Sequence, residues 1–588
     1  MGTRLAVAVI LAVVLFIRLP FLNQAIQGDE VYYFAAAEHA LIDPLHPNHV
    51  QYVFLGDRVD LRGFPHPPLN AWCLALLLAI FGDIHEVPFH AAYLLFSLVA
   101  ALAMWSLARR FSPHPLWATL LFLAVPAFVI NGNSLESDLP FLACWMAAVA
   151  CFVAGRRAPA AIAMALAALA AFQAVFLTPI LAVYVWLYRR RDRTAWLLTL
   201  VPPATILAWE LFERLSSGTL PAAVAAGYMS SYGWQALSYK LRNAAALTVH
   251  ACFMIFPALL PGAILLAWKR RDRETAFLAA WIALFFGGAV VVFFAGSARY
   301  LLPMAAPAAL LVSRLRPRWL ALGFAAQLAL SLSLATVNYQ HWDGYRRFAR
   351  QIRPATAGHR VFIDGEWGYY LEADGGVPLE RGQVLRPGDI VVSSQLAYPV
   401  PFTAPTATFA ERTIRASLPL QLIGLEARSG YSTASKGLRP FDISNAPIDI
   451  VRAAIVLERH PTRAYLPMNA PEAPAQIVSG LYELESGAWR WMSGSAVVLL
   501  KSPAKPLPIE AVFTIPDLAP ARRVELLLDD RVVASETCAG PGSYTLKSAP
   551  QTLVGETATV TLKVDRTFSV PGDHRELGVV VAGIGFRE

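Results

Sequence analysis

The chain has 588 residues, of which 56% are hydrophobic and only 15% are charged, and its mean hydropathy is +0.48. This composition is too apolar for a soluble globular protein of that length, so it predicts a polytopic membrane protein. The formal net charge of +8 does not indicate a nucleic-acid partner. Most Lys and Arg residues form short clusters between apolar segments, where they act as topology signals.

The first apolar segment, residues 1–22, resembles a secretory signal but lacks a small-residue cleavage site. We therefore expect it to be retained as the first span. Two adjacent carboxylates, Asp29 and Glu30, follow it closely. The next apolar run, residues 67–81, is shorter than the roughly 20 residues of a membrane-spanning helix, so we expect it to lie along the interface or to re-enter.

Basic clusters orient the later apolar segments. If all five clusters face the cytoplasm, an even number of spans separates each from the next. This parity predicts about eleven spans, with the N-terminus in the cytoplasm and the C-terminal region outside. The clusters are Arg109-Arg110, Arg156-Arg157, Arg189 to Arg193, Lys269 to Arg273 and Arg314 to Arg318. The spans lie near residues 1–22, 88–108, 115–131, 138–155, 157–189 (two spans turning near Gln173), 194–212, 243–268, 275–295, 299–313 and 318–336.

This topology places several polar residues on one face of the membrane. Ionisable residues near a membrane are costly to bury, at about 2.5 to 3.5 kcal/mol for a helix centre on insertion scales, and they are often functional when they face a cavity. Each has a structural interpretation by itself, as a helix start, a proline-stopped turn, an N-cap or a snorkelling arginine. Their common face favours a polar active site. These residues are Asp29, Glu30, His66, Glu136, Asp138 and Arg299.

The order of motifs along residues 1–375 carries a family resemblance. The chain has a span, Asp29-Glu30-x-x-Tyr33, His66-Pro67-Pro68-Leu69, a span ending in Ala108-Arg109-Arg110, an acidic loop before Leu139-Pro140, and Ala298-Arg299-Tyr300 to Pro307. This order resembles the membrane glycosyltransferases of the GT-C fold, and among them the group of protein O-mannosyltransferases, aminoarabinose transferases and galacturonosyltransferases. The resemblance implies an inverting transfer of a sugar from a polyprenyl monophosphate carrier to a hydroxyl group. The acceptor is a lipid, a protein or a cell-envelope glycan on the non-cytoplasmic face.

The resemblance also implies roles for individual residues. Asp29 matches the family's general base, and a carboxylate suits that task. The second acidic residue is Asp138 or Glu136, with Asp138 preferred because it adjoins the Leu-Pro pair. Arg299 and His66 would contact the donor phosphate, for which a guanidinium fork is well suited. Because some relatives have Lys at the position of His66, its contact would depend on protonation or on a neutral N–H donor. Supporting or acceptor-side positions are Glu30, Tyr33, Glu136 and Tyr300.

No cofactor is predicted with a defined set of ligands. A divalent metal stays open as an alternative, because one acidic and several histidine side chains offer oxygen and nitrogen ligands, although no close metal-ligand spacing singles them out. The candidates are Glu30, His39, His46, His49 and His250.

The composition turns soluble after the last predicted span. We predict a transmembrane domain at 1–340, a small α/β or mixed extracytoplasmic region at 341–465 and a carbohydrate-binding-like β-sandwich at 466–588. The last domain has short β-branched strands separated by turns. Its Trp489 and Trp491 could stack on sugars, but we expect them in the core.

Two other classes of protein compete with an enzyme. A transporter should show related halves or broken helices near mid-membrane, and the sequence shows no convincing repeat. A non-catalytic glycan-binding or assembly scaffold would lose the acidic groups that this chain retains. The sequence therefore favours a multi-pass glycosyltransferase of a bacterial inner membrane, with its C-terminal domain in the periplasm or outside the cell.

Overall fold

The computed structural model describes residues 2–230, 232–255, 272–293, 297–365, 367–517, 519–553, 555–570, 573 and 575–588. The chain forms two compact units: residues 1–52, 59–347 and 413–449 form the first, and residues 53–58, 348–412 and 450–588 form the second. Half of the predicted span at 243–268, three of the five residues of the basic cluster at 269–273 and Gly296 lie outside the described residues. The domain boundaries at 340 and 465 stay predictions.

The first unit is largely helical. Within the described residues, five helical segments are long and apolar enough to cross a membrane: Thr3–Phe21, Glu86–Phe111, Arg193–Ser217, Arg273–Val292 and Pro317–Thr356. Shorter apolar helices are Leu69–Phe81, Asp138–Val153, Arg157–Ala170, Phe172–Tyr188 and Ala298–Val312. Further helices are Glu30–Ala40, Pro115–Leu123, Pro126–Asn131, Pro221–Ser230 and Gln235–Phe253. A short hairpin of strands β1 (Gln51–Phe54) and β2 (Asp57–Asp60) includes residues 53–58 of the second unit. The chain is thus a multi-pass membrane protein, while the count of eleven spans stays a prediction.

The helices pack through apolar faces that the sequence spacing creates. The first helix buries Ile10, Val14 and Ile17, which recur at helical spacing on one face. The helix Asp138–Val153 is apolar on nearly all sides and is buried along most of its length, so it lies at the centre of the bundle. It begins with Asp138, which places a carboxylate at the end of a buried helix.

The segment at 115–131 is two helices and not one continuous span. Pro115–Leu123 ends at Ala124, and a new helix begins at Pro126. A proline lacks the N–H that would continue the preceding helix, and it restricts Val125 to extended backbone. The break matters because the second, short helix leads directly into the acidic loop at residues 132–137.

The last span also differs from its prediction. The sequence predicted a span ending near residue 336 and a soluble region from residue 341, whereas one helix runs over Pro317–Thr356. Gly344 does not break this helix. It allows close packing, because a Cβ atom there would lie 2.7 Å from Cγ2 of Ile414.

The second unit contains two sheets. The smaller has the strand order β4-β3-β5-β7-β6, with β3 parallel to β4 and β5, and β5 antiparallel to β7. Ile390 of β5 stands opposite Val361 of β3 and Ile455 of β7. The strands are β3 Val361–Asp364, β4 Val377–Pro378, β5 Ile390–Ser394, β6 Thr406–Ile414 and β7 Asp449–Val456.

The larger sheet has nine strands in the order β13-β12-β15-β10-β16-β11-β14, with β8 beside β16 and β9 beside β10. Alternate residues of β11, such as Ala511 and Phe513, face one hydrophobic core, as the strand period of two requires. The helical membrane region followed by this β region confirms the predicted fold class. The strands are β8 Tyr465–Pro467, β9 Ile477–Glu485, β10 Trp489–Lys501, β11 Ile509–Ile515, β12 Arg522–Leu528, β13 Arg531–Cys538, β14 Gly542–Lys547, β15 Thr557–Val564 and β16 Val580–Phe586.

The two tryptophans of β10 are not core residues, contrary to the prediction. The alternation of the strand turns Arg490 and Met492 inward, so Trp489 and Trp491 face the other side and are half-buried. Their rings meet edge to face, with centroids 6.1 Å apart.

Candidate active site

The adjacent carboxylates Asp29 and Glu30 have different surroundings. Asp29 directly precedes the helix Glu30–Ala40, and its side chain is 34% exposed, whereas Glu30 is fully buried. Oε1 of Glu30 accepts the Leu135 N–H at 2.7 Å, and Oε2 accepts the Gln27 N–H at 3.0 Å. Burial raises the pKa of Glu30 to about 8, although these hydrogen bonds oppose the shift. Glu30 therefore links the helix start to the acidic loop, and Asp29 is the accessible member of the pair.

A buried arginine of the first helix supports the acidic loop. Arg18 donates from Nη2 to the Phe128 carbonyl at 2.7 Å, and from Nη1 to the Val129 carbonyl at 2.9 Å and to Asn133 Oδ1 at 3.2 Å. These bonds satisfy carbonyl groups in the short helix Pro126–Asn131 and fix Asn133 in the loop that follows it. Arg18 is not among the site residues predicted from the sequence. The signal was available, because a lone arginine within an apolar span needs a polar partner.

Arg299 gathers the predicted acidic residues. Its Nη2 donates to Oδ2 of Asp29 at 2.5 Å, and its Nη1 donates to Oε2 of Glu136. Its Nε lies 3.4 Å from Oδ2 of Asp138 but makes no hydrogen bond within the described residues. The guanidinium also lies over the ring of Tyr300, 5.4 Å from its centroid. The structure thus brings four of the predicted residues, from three separate regions of the sequence, around one cation.

The three carboxylates differ in exposure. The side chains of Glu136 and Asp138 are 4% and 3% exposed, compared with 34% for Asp29 and 14% for Arg299. Burial raises the pKa of Glu136, and the charge of Arg299 opposes that shift. The two buried carboxylates therefore contact the guanidinium on its buried side, and Asp29 contacts it on the side that is accessible to solvent. By hydrogen-bond geometry Glu136, and not Asp138, is the closer partner of Arg299.

His66 lies near the same charged residues, and its buried surroundings favour the neutral form of its ring. It is 8% exposed, and burial lowers its pKa. Its Nδ1 lies 3.3 Å from the carbonyl oxygen of Ala170, which also accepts from Ser137 Oγ at 2.8 Å. A carbonyl only accepts, so Nδ1 carries the proton and Nε2 of the neutral ring is an acceptor. A contact between Nε2 and a phosphate would therefore require protonation.

The two predicted tyrosines take packing positions at the site. Tyr33 is buried, and its ring packs against Phe64 and His66 with centroid distances of 5.2 and 5.5 Å. Tyr300 packs against Phe293 at 5.3 Å beside Arg299. Both support neighbouring site residues through their rings.

The metal-ligand candidates are spread over several contacts. The rings of His46 and His49 stack at 4.6 Å, and His49 Nε2 lies 2.7 Å from Oε2 of Glu213. His250 Nε2 donates to the Gly430 carbonyl at 2.9 Å. His39 lies near the end of the helix Glu30–Ala40. In the part of the chain that the structure describes, no three His, Cys, Asp or Glu side chains are grouped to hold an ion.

An apolar cleft adjoins the turn that carries Arg299. It encloses about 500 Å³ of empty space, part of it open to solvent, and Ala298 and Leu302 form part of its wall. Most of the other lining side chains are apolar, so the cleft suits a hydrocarbon chain. They include Val125, Leu330, Leu334, Phe253, Tyr431 and Phe441.

Comparison with known proteins gives one family match and several distant structural similarities. Residues 65–209 match the family model of the dolichyl-phosphate-mannose-protein mannosyltransferases. No curated protein matches the sequence.

Among solved structures, the crystal structure of ArnT from Cupriavidus metallidurans bound to undecaprenyl phosphate is 15% identical, with a TM-score of 0.47, over 66% of this chain and 92% of that chain. The cryo-EM structure of the arabinofuranosyltransferase AftD from Mycobacteria is 12% identical, with a TM-score of 0.34, over 99% of this chain and 58% of that chain. Both TM-scores are below 0.5, so neither assigns an activity. The family match confirms the resemblance to membrane glycosyltransferases over residues 65–209, which include His66, Glu136 and Asp138.

Proposed function

We propose that the protein is a membrane glycosyltransferase that moves a sugar from a polyprenyl monophosphate to an acceptor hydroxyl, with Asp29 as the general base. The observation that carries this proposal is the position of Arg299 between two buried carboxylates and the exposed Asp29. Buried, closely paired ionisable groups at a cleft are typical of functional sites. The match to a family named for a dolichyl-phosphate-linked sugar supports the class of donor.

The proposed reaction needs a base and a site for the leaving phosphate. Asp29 takes the proton of the acceptor hydroxyl while the hydroxyl oxygen attacks the anomeric carbon of the donor sugar. The bond from that carbon to the phosphate oxygen breaks, and the electron pair leaves with the polyprenyl phosphate. The transition state has oxocarbenium character, which nearby carboxylates stabilise. Phosphate is a weak base, so it needs the positive charge of Arg299 and no proton donor.

Arg299 must exchange partners for this reaction. Its Nη2 is bound to Asp29, and the other two carboxylates are too buried to leave without cost. A donor phosphate would therefore displace Asp29, the most exposed partner. The exchange would free the Asp29 carboxylate for the acceptor hydroxyl when the donor is bound.

The apolar cleft gives the donor lipid a place beside the phosphate. Ala298 and Leu302, which line the cleft, flank Arg299 in the same short helix. A polyprenyl chain in the cleft would thus keep its phosphate close to the guanidinium. We place the site on the non-cytoplasmic face of a bacterial inner membrane, with the N-terminus inside and the C-terminal region outside, because the basic clusters favour that orientation. The acceptor is a hydroxyl of a lipid, a protein or a glycan.

The test combines transfer and binding by the Asp29→Asn variant. We expect transfer from polyprenyl-phosphate sugars to fall by about 100-fold to 10,000-fold, the usual contribution of a general base. We also expect the variant to bind undecaprenyl phosphate about twofold to fivefold more tightly, because the substitution removes a competing ion pair worth about 0.2 to 1 kcal/mol.

The binding measurement separates catalysis from folding. A variant that had lost its structure would bind the lipid more weakly, so tighter binding with lost transfer identifies Asp29 as the base. Near-normal transfer would exclude that role. A wild-type protein that transfers no sugar from a donor panel would favour a transporter or a scaffold.

A further inference from the structure

One segment between the strands of the smaller sheet belongs to the helical unit. After β6 ends at Ile414, residues 415–448 pack with the first unit before β7 begins at Asp449. Leu422 and Tyr431 of this segment are buried in the same hydrophobic core as the helices. The sequence had assigned these residues only to the α/β or mixed region predicted at 341–465.

The 415–448 segment is held in shape by its own hydrogen bonds. The backbone N–H of Asp442 donates to the Gln421 carbonyl at 2.8 Å, and the N–H of Gln421 donates to the Asp442 carbonyl at 2.9 Å. The Asp442 carboxylate accepts the Arg428 N–H at 2.7 Å and the Arg439 guanidinium at 2.6 Å. Gly437 permits the close approach of the two arms, because a Cβ atom there would lie 2.1 Å from the Arg428 carbonyl. The segment therefore presents its tip, near Tyr431, in a defined position.

Tyr431 contacts both elements that build the acidic site. Its backbone carbonyl accepts the Ala298 N–H and the Ser297 hydroxyl, each at 3.1 Å, at the start of the turn that carries Arg299. Its phenol donates to Oδ1 of Asn131 at 2.7 Å, at the start of the loop that carries Glu136. The adjacent Gly430 carbonyl accepts from His250 at 2.9 Å.

The Tyr431 side chain is 6% exposed and also forms part of the wall of the apolar cleft. Tyr431 thus lines the cleft and also contacts the turn that carries Arg299. A buried phenol without its partner would cost more than the bond itself, so the contact with Asn131 fixes the spacing between loop and turn.

We propose that Tyr431 is a positioning residue that sets Arg299 at the phosphate of the lipid donor by joining the Arg299 turn to the Glu136 loop. This inference rests on the proposed function. It extends the site to a segment that lies more than a hundred residues after Arg299 in the sequence. Tyr431 acts through Arg299 and touches no reacting atom.

The experiment compares two probes, undecaprenyl phosphate and undecaprenol, on the full-length protein. Only undecaprenyl phosphate carries the group that would bind Arg299. The dissociation constant of undecaprenol divided by that of undecaprenyl phosphate therefore measures the contribution of the phosphate to binding. Tyr431→Phe keeps the ring and removes the bond to Asn131. We expect this ratio to fall about threefold to tenfold, close to the effect of one lost hydrogen bond, while undecaprenol binding stays within twofold.

Controls distinguish positioning from general stability. Tyr544→Phe removes an equivalent phenol bond, to the Gly540 carbonyl at 2.7 Å in the larger sheet, and should leave the ratio unchanged. In an Arg299→Ala background, Tyr431→Phe should cause no further fall. Equal losses for both lipids, an unchanged ratio, or an additive loss in that background would overturn the inference. If Arg299→Ala itself leaves the ratio unchanged, the proposed donor site fails and the inference fails with it.

Discussion

Two arginine sites in different regions of the chain use the same chemistry in different surroundings. Arg299 in the helical unit and Arg575 in the β region are 14% and 16% exposed, and each pairs with several carboxylates. Arg575 donates to Asp573 and Glu485, each at 2.7 Å, and these partners are 25% and 34% exposed. Two partners of Arg299 are at most 4% exposed.

The difference in partner exposure separates a structural cluster from a candidate active site. Solvated ion pairs contribute about 0 to 1 kcal/mol each, so the Arg575 cluster requires no function to explain it. Burying carboxylates is costly even when they are paired, so stability alone is a weak reason for the Arg299 cluster. The number of ion pairs is therefore less informative than the exposure of the acidic partners.

The largest expected contrast comes from replacing each arginine by lysine. Arg299→Lys removes the fork that binds two partners at once, and we expect transfer to fall about 100-fold or more, as when a group that stabilises developing charge is lost. Arg575→Lys should keep transfer within about twofold and change the free energy of unfolding by about 1 kcal/mol or less. Transfer assays and thermal unfolding of both variants check this contrast. Comparable losses of transfer would show that exposure of the partners does not distinguish the two sites.

Replacing one carboxylate in each site should give a smaller contrast. Glu136→Gln keeps an oxygen near Arg299 but removes its charge, and we expect about a tenfold to 100-fold loss of transfer because a charged hydrogen bond is worth about 1.5 to 3 kcal/mol. Glu485→Gln, the matched change beside Arg575, should have no effect on transfer. Asp138→Asn should lose less than Glu136→Gln, since the Nε of Arg299 makes no hydrogen bond to it. A larger loss for Asp138→Asn would restore the assignment preferred from the sequence.

The sequence predicted the members of the site better than their roles. Charge parity and motif order identified Asp29, Glu136, Asp138 and Arg299, because such arguments depend on sidedness and spacing. They could not rank the carboxylates, since burial depends on helices that are distant in sequence. Tyr431 was not predicted, because it lies in an irregular segment whose sequence shows no periodicity.

The long helix and the outward tryptophans were missed for more local reasons. In the sequence Gly344 favours a helix break, because its close packing against Ile414 is visible only in the structure. The strand period by itself does not indicate which face of β10 packs in the core. The fold class and the residues that meet in the candidate site were thus within reach of the sequence, while element boundaries and burial needed the packed structure.

The smallest effect on transfer is expected for Glu30, the buried neighbour of Asp29. Glu30→Gln leaves the reacting groups in place, so transfer should stay within about twofold to threefold, but one of the two backbone N–H groups loses its acceptor. We therefore expect the variant to be less stable than the wild type at pH 5. The pH dependence of this deficit reports the protonation state of Glu30.

In the folded protein the pKa of Glu30 is about 8, above the value of 4.5 for a free glutamate. Between these values the folded chain keeps a proton that the unfolded chain has released, so wild-type stability falls as the pH rises, by at most about 1.4 kcal/mol per pH unit. The glutamine variant lacks this dependence, so its deficit should shrink between pH 5 and pH 8 in thermal unfolding experiments. A deficit that stays constant between pH 5 and pH 8 would mean that the two N–H donors keep Glu30 ionised despite its burial, and that the inner half of the acidic pair carries charge.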